Sequence, residues 1–145
     1  MTGNPARWGE TSSAFTPGNQ VDVLIVDDDD DLRSTWAEIF RSSGYSVAKA
    51  EDGDVALRLL SEMTIGVVLL DLRMPRRDGF SVLESLTAPQ LVVLASAQAL
   101  DEATLARVEG KIVTYLEKPI PPERLLHTVA AALGRSQRER LFPMQ

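Results

Sequence analysis

Two hydrophobic periods take turns along this chain. Short apolar runs at Val21–Val26, Tyr45–Ala50, Val67–Leu70, Leu91–Ala95 and Ile112–Leu116 predict strands one to five. Between them, apolar residues recur at helical spacing. The sets are Leu32, Trp36, Ile39 and Phe40; Val55, Ala56, Leu59 and Leu60; Phe80, Val82, Leu83 and Leu86; a weaker pattern over Asp101–Val108; and Leu125, Leu126, Val129, Ala130 and Leu133. These predict helices one to five. Punctuation agrees: Ser43-Gly44, Asp52-Gly53, Pro75 with Asp78-Gly79, and Pro89 fall between the runs, and Pro121-Pro122 opens helix five. Residues 1–20 show neither period and are rich in Gly, Pro, Ser, Thr and Asn; they read as a flexible leader, Trp8 and Phe15 included. Gly134 is expected to stop helix five, leaving 135–145 as a tail or linker remnant that carries Arg135, Arg138 and Arg140.

Alternating strands and helices imply one α/β domain with a parallel sheet and right-handed crossovers. The carboxyl ends of all its strands then share one edge, where such sheets bind ligands. That edge collects Asp27 and Asp28, Asp71, Ser96 and Lys118 from the ends of strands one, three, four and five. Asp71 stops an apolar run abruptly, and Asp78 is better placed than Asp71 to cap the following helix. Of the aspartates at 27–31, the last three suit the dipole at the start of helix one, whereas Asp27 and Asp28 have no such structural account.

Composition narrows the chemistry. The chain has 145 residues, 44% hydrophobic, enough for one ordinary core. A net charge of -6 argues against a broad nucleic-acid face and suits a cation site. With no cysteine and one histidine, thiol chemistry and multi-histidine metal sites are excluded, and His127 reads as a surface position on helix five. No apolar run is long enough to span a bilayer and the first residues lack a signal-peptide layout, so the expectation is a cytoplasmic protein without membrane contact.

Three converging carboxylates repel unless one is protonated or a cation binds. Oxygen ligands without imidazole or thiolate suit Mg²⁺, which favours one or two carboxylates, waters and phosphate oxygens. Lys118 adds a point charge for a phosphoryl oxygen and Ser96 a hydrogen-bond donor. The set fits phosphoryl transfer. Without a Walker-type glycine loop, nucleotide binding of that kind is not expected, and the expected nucleophile is a carboxylate, as in aspartyl-phosphate chemistry. A calcium loop through Asp27, Asp29, Asp31 and Glu38 is the weaker reading, because Leu32 stands where that loop needs glycine. Trp36 reads as plain helix packing, and Tyr115 as either packing or switch.

Four stretches now resemble a known family: Val26-Asp27-Asp28-Asp29; Asp71 through Gly79; Ser96-Ala97; and Tyr115-Leu116-Glu117-Lys118-Pro119. The chain resembles the receiver domain of two-component response regulators over residues 21–134. The resemblance implies a flavodoxin-like, doubly wound five-stranded parallel sheet, order 2-1-3-4-5, with five helices. It implies that Asp71 accepts a phosphoryl group from a sensor histidine kinase or histidine phosphotransfer protein. Mg²⁺ would be held by Asp28, Asp71 and the Arg73 backbone carbonyl, and by Asp27 through water. Lys118 would bond a phosphoryl oxygen, Ser96 would move toward it, and Tyr115 would follow as the aromatic switch. Arg73 and Gln98 occupy positions resembling those that tune phosphoryl lifetime, and the Lys118-Pro119 bond is expected to be cis. The face of helix four, strand five and helix five would signal to a downstream target protein or an absent output domain, and could pair two copies. Such a domain promotes its own phosphorylation and dephosphorylation without turning over an external substrate.

The chain departs from the family pattern in a short segment between Asp71 and Ser96 and in Val108-Glu109-Gly110-Lys111 before strand five. The main rival is a pseudo-receiver that binds partners without phosphorylation. A small-molecule phosphatase would want a second acid two residues after its nucleophile, where Arg73 stands.

Overall fold

The computed structural model describes residues 20–74, 78–87 and 89–141. In chain order the elements are β1 (Gln20–Val26), α1 (Asp30–Ser42), β2 (Val47–Ala50), α2 (Gly53–Glu62), β3 (Thr64–Asp71), α3 (Gly79–Ser85), β4 (Leu91–Ser96), α4 (Glu102–Val108), β5 (Thr114–Glu117) and α5 (Pro122–Leu141). All strand pairs are parallel and the sheet order is β2-β1-β3-β4-β5. This is the doubly wound arrangement the resemblance implied.

Strand alternation splits the core in two. Val23, Ile25, Val67, Leu69, Val93 and Ala95 face one side, under Trp36, Ala37 and Phe40 of α1 and Leu125, Val129 and Leu133 of α5. Leu24, Val26, Val68, Leu70, Val92 and Leu94 face the other, under Ala56 of α2, Val82 and Leu83 of α3 and Val108 of α4. Both faces of the central strands are thus dry, which is why they read as unbroken apolar runs.

Four helices start on an aspartate. Asp29, Asp52, Asp78 and Asp101 each accept from the backbone N–H three residues on, so α1 to α4 begin at fixed positions. Asp52-Gly53 is therefore a helix start rather than a free turn. The helical start at Asp30 also removes the calcium-loop reading.

Several element ends differ from the expectation. The second strand begins at Val47, because Tyr45 instead turns edge-on against Phe40. The third extends back to Thr64 through its pairing with Gln20. The fifth lies at Thr114–Glu117, because Val93–Ser96 pair with those residues rather than with the more apolar Ile112. On α5, Ala130 is exposed and Ala132 buried, which completes the 125, 129, 132, 133 stripe of a regular helix. Gly134 does not stop that helix, which runs on to Leu141. A glycine stop needs a left-handed residue, and the described glycines with positive φ are Gly44 and Gly110. Gln20 opens β1, but the rest of the expected leader, with Trp8 and Phe15, lies outside the described residues, as do Pro75, Arg76 and Arg77 of the loop after Asp71.

Candidate functional site

Register brings the edge together. Val26 is level with Leu70, Asp71 with Ala95, and Ser96 with Glu117. The next residues of β1 and β5, Asp27 and Lys118, therefore arrive beside Asp71 without any side chain having to reach far. One carboxylate oxygen each from Asp27, Asp28 and Asp71 lie within 4.8 Å of one another. Asp27 is fully buried and Asp71 is 6% exposed, while Asp28 faces solvent. The acidic group is thus closed at its floor and open at one wall.

Lys118 spans the two buried acids, with Nζ 2.8 Å from Asp27 Oδ2 and 3.5 Å from Asp71 Oδ1. The Asp29 N–H donates to Asp27 Oδ1 at 2.9 Å, and the Arg73 N–H donates to Asp71 Oδ1 at 3.3 Å. Burial, reinforced by the charge of Asp27, pushes the Asp71 carboxyl up to about 6 from 3.8, against the pull of Lys118 and the Arg73 N–H. For Lys118, burial works against the charged form, but the Asp27 hydrogen bond and the nearby acids outweigh it and the net shift is upward. The ammonium stays charged, and Asp71 is the acid left under-compensated.

Three clustered carboxylate oxygens with no imidazole or thiolate fit a hard divalent cation. Such an ion would offset both the cost of burying the Asp71 charge and the repulsion from Asp27 that together lift its carboxyl. The arrangement then offers one carboxylate oxygen as a nucleophile beside a fixed positive charge.

The other expected residues sit around this centre. Ser96 ends β4 and is buried; its hydroxyl donates to the Gln98 carbonyl at 2.7 Å and accepts from the Gln98 N–H at 3.2 Å, so it is turned onto its own loop. Its carbonyl accepts from the Lys118 N–H at 2.7 Å, which ties the ends of β4 and β5 together. Tyr115 is half-buried and packs on the core beneath α2, α3 and α4. Arg73 and Gln98 are exposed, and the Arg73 charge helps Thr104 hold the Asp101 carboxyl below its ordinary value. The Lys118-Pro119 bond is cis. His127 is exposed.

Two contacts at the site carried no signal in the sequence. The Lys118 ammonium stands 5.7 Å from the centre of the Trp36 ring, so this tryptophan is more than helix packing. Arg33 reaches back from α1 to donate to the Asp27 backbone carbonyl at 2.6 Å. Both approach from a helix face, where local spacing says nothing of what lies across the strand end. Gly79 matters for a different reason: a Cβ there would come within 2.8 Å of the Asp71 carbonyl, so only glycine lets α3 start against that strand end.

A family model for the response regulator receiver domain matches residues 23–130. The chain is 34% identical over 116 residues to the transcriptional regulatory protein CpxR of Escherichia coli, covering 79% of this chain and 50% of that protein. It is 37% identical over 117 residues to the transcriptional regulatory protein PrrA of Mycobacterium tuberculosis, covering 78% and 50%. The chain therefore spans about half the length of these relatives. Among solved structures it is similar to a CheY-like response regulator receiver domain protein from Methanospirillum hungatei, with a TM-score of 0.72 and 29% identity over 83% of this chain and 98% of that one.

Proposed function

Because the chain belongs to the response regulator receiver family, we propose that it accepts a phosphoryl group on Asp71 from a phosphohistidine of a sensor kinase or phosphotransfer protein. What supports this most is the meeting of Asp71 with Asp27, Asp28 and Lys118 at the ends of β3, β1 and β5. A bound Mg²⁺, held by Asp28, Asp71 and the Arg73 carbonyl and by Asp27 through water, would neutralise the acids and the incoming phosphoryl oxygens. An Asp71 carboxylate oxygen attacks phosphorus, the new O–P bond forms as the N–P bond breaks, and the imidazole nitrogen keeps the electron pair. Lys118 moves its ammonium from the Asp27–Asp71 pair to a phosphoryl oxygen.

Signalling follows from charge. The phosphoryl group brings nearly two negative charges and three acceptor oxygens. Ser96 exchanges a neutral bond to Gln98 for a charge-assisted one, and Tyr115 turns into the space this opens, changing the α4-β5-α5 face that meets a target or a second copy. Arg73 and Gln98, both exposed and respectively two residues past Asp71 and Ser96, tune how long the phosphoryl group lasts. A cytoplasmic location belongs to the same reading; among the described residues no helix is long and apolar enough to cross a membrane.

Intact mass after incubation with phosphoramidate tests the reading. One added phosphoryl group is expected with Mg²⁺ present and none with EDTA or in Asp71→Asn. An unchanged mass in the unaltered chain with Mg²⁺ would sink it and leave the pseudo-receiver.

A further inference from the structure

Arg33 is tucked into the acidic edge in a way its surface ion pair does not explain. Its side chain is 15% exposed, whereas its partner Asp30 is 83% exposed. A pair with one end so open to water contributes little by itself. The buried part of the fork goes elsewhere: Nη1 donates to the Asp27 carbonyl at 2.6 Å while Nη2 holds Asp30. Asp27 is then fixed at every polar atom. Its N–H donates to the Ala50 carbonyl, its two carboxylate oxygens accept from Asp29 and Lys118, and its carbonyl accepts from Arg33.

The Asp27 carbonyl lies in the same rigid peptide plane as the Asp28 N–H. Holding that carbonyl sets the plane, and the plane sets the direction in which Asp28 leaves the strand end. Asp28 is the exposed member of the acidic group, so it lacks the packing that fixes the other two. We propose that Arg33 is a positioning residue for divalent-cation binding: its fork locks the Asp27–Asp28 peptide plane and thereby aims the Asp28 carboxylate at Asp71. This rests on the Mg²⁺ reading above.

Charge and positioning predict opposite signs. A cation beside a cation site repels the ion, so by charge alone Arg33→Gln binds Mg²⁺ more tightly and Arg33→Lys binds it unchanged. Positioning makes both variants weaker, by about tenfold as is typical for residues that orient metal ligands. Calorimetric titration of the full chain with MgCl₂ decides between them. In the ion-free protein, the Asp28 amide resonance should also shift in both variants while the amides of β4 and β5 stay in place. Lysine binding as tightly as arginine, or glutamine binding more tightly, overturns the proposal while the Mg²⁺ reading stands. So does a spectrum in which β4 and β5 amides move as far as that of Asp28, since Arg33 would then support the fold at large. No uptake of Mg²⁺ by the unaltered chain overturns the functional reading, and this proposal with it.

Discussion

Asp71 and Asp27 meet across adjacent strand ends and share one ammonium, and that arithmetic has consequences for single residues. With its carboxyl raised to about 6 from 3.8, Asp71 binds a proton in the folded chain over a range where the unfolded chain has released it. The stability this contributes is full below the unfolded value and is lost as pH rises through the folded one. In EDTA, the unaltered chain should therefore lose stability between about pH 4 and 6 relative to Asp71→Asn. Near pH 7 that variant should be more stable by no more than about 3 kcal/mol, read from urea midpoints. Lys118 keeps its 2.8 Å partner Asp27 in the variant, so no ammonium is stranded. Mg²⁺ competes with the same proton: its apparent affinity should weaken roughly tenfold per pH unit below about 6, measured by calorimetry.

At the scale of elements, the carboxyl edge depends on how closely α3 approaches β3. A methyl group at Gly79 would lie 2.8 Å from both the Asp71 carbonyl oxygen and Leu72 Cα, and neither backbone atom can rotate away. Gly79→Ala should destabilise by about 2 kcal/mol in urea unfolding and weaken Mg²⁺ binding by shifting the strand end. The order and type of the elements were legible because both sheet faces are buried and the helices alternate with them. The strand ends were less so. Thr114 and Glu117 are polar yet pair with Val93 and Ser96, while Ile112 is apolar and lies outside the ladder: register across the sheet, not local composition, decides. Gly134 looked like a stop, but nothing forces it into a left-handed turn and the helix passes through. The four charged residues at the site were readable because each sits where a strand ends. Arg33 and Trp36 were not, since their partners are met only once α1 packs across the sheet.

For the molecule as a whole, β1, β3 and β4 contribute to both cores, so neither half of the sandwich can melt alone. Melting should be one cooperative transition. At Mg²⁺ a hundredfold above its dissociation constant, that transition should move up as a unit by about 2.7 kcal/mol, and the shift should shrink in Asp71→Asn, which removes one ligand. Separate melting steps by circular dichroism and calorimetry would contradict this. The chain spans about half the length of the transcriptional regulatory proteins it matches. One contact inside it also makes its state visible from outside. Trp36 is 3% exposed and sees the Lys118 ammonium at 5.7 Å, and the chain's other tryptophan, Trp8, precedes the sheet. With Trp8→Phe, the ultraviolet emission of the protein comes from one indole beside the Lys118 ammonium. Its intensity should step when phosphoramidate and Mg²⁺ are added and return as the acyl phosphate hydrolyses, a clock for the signal that needs no dye.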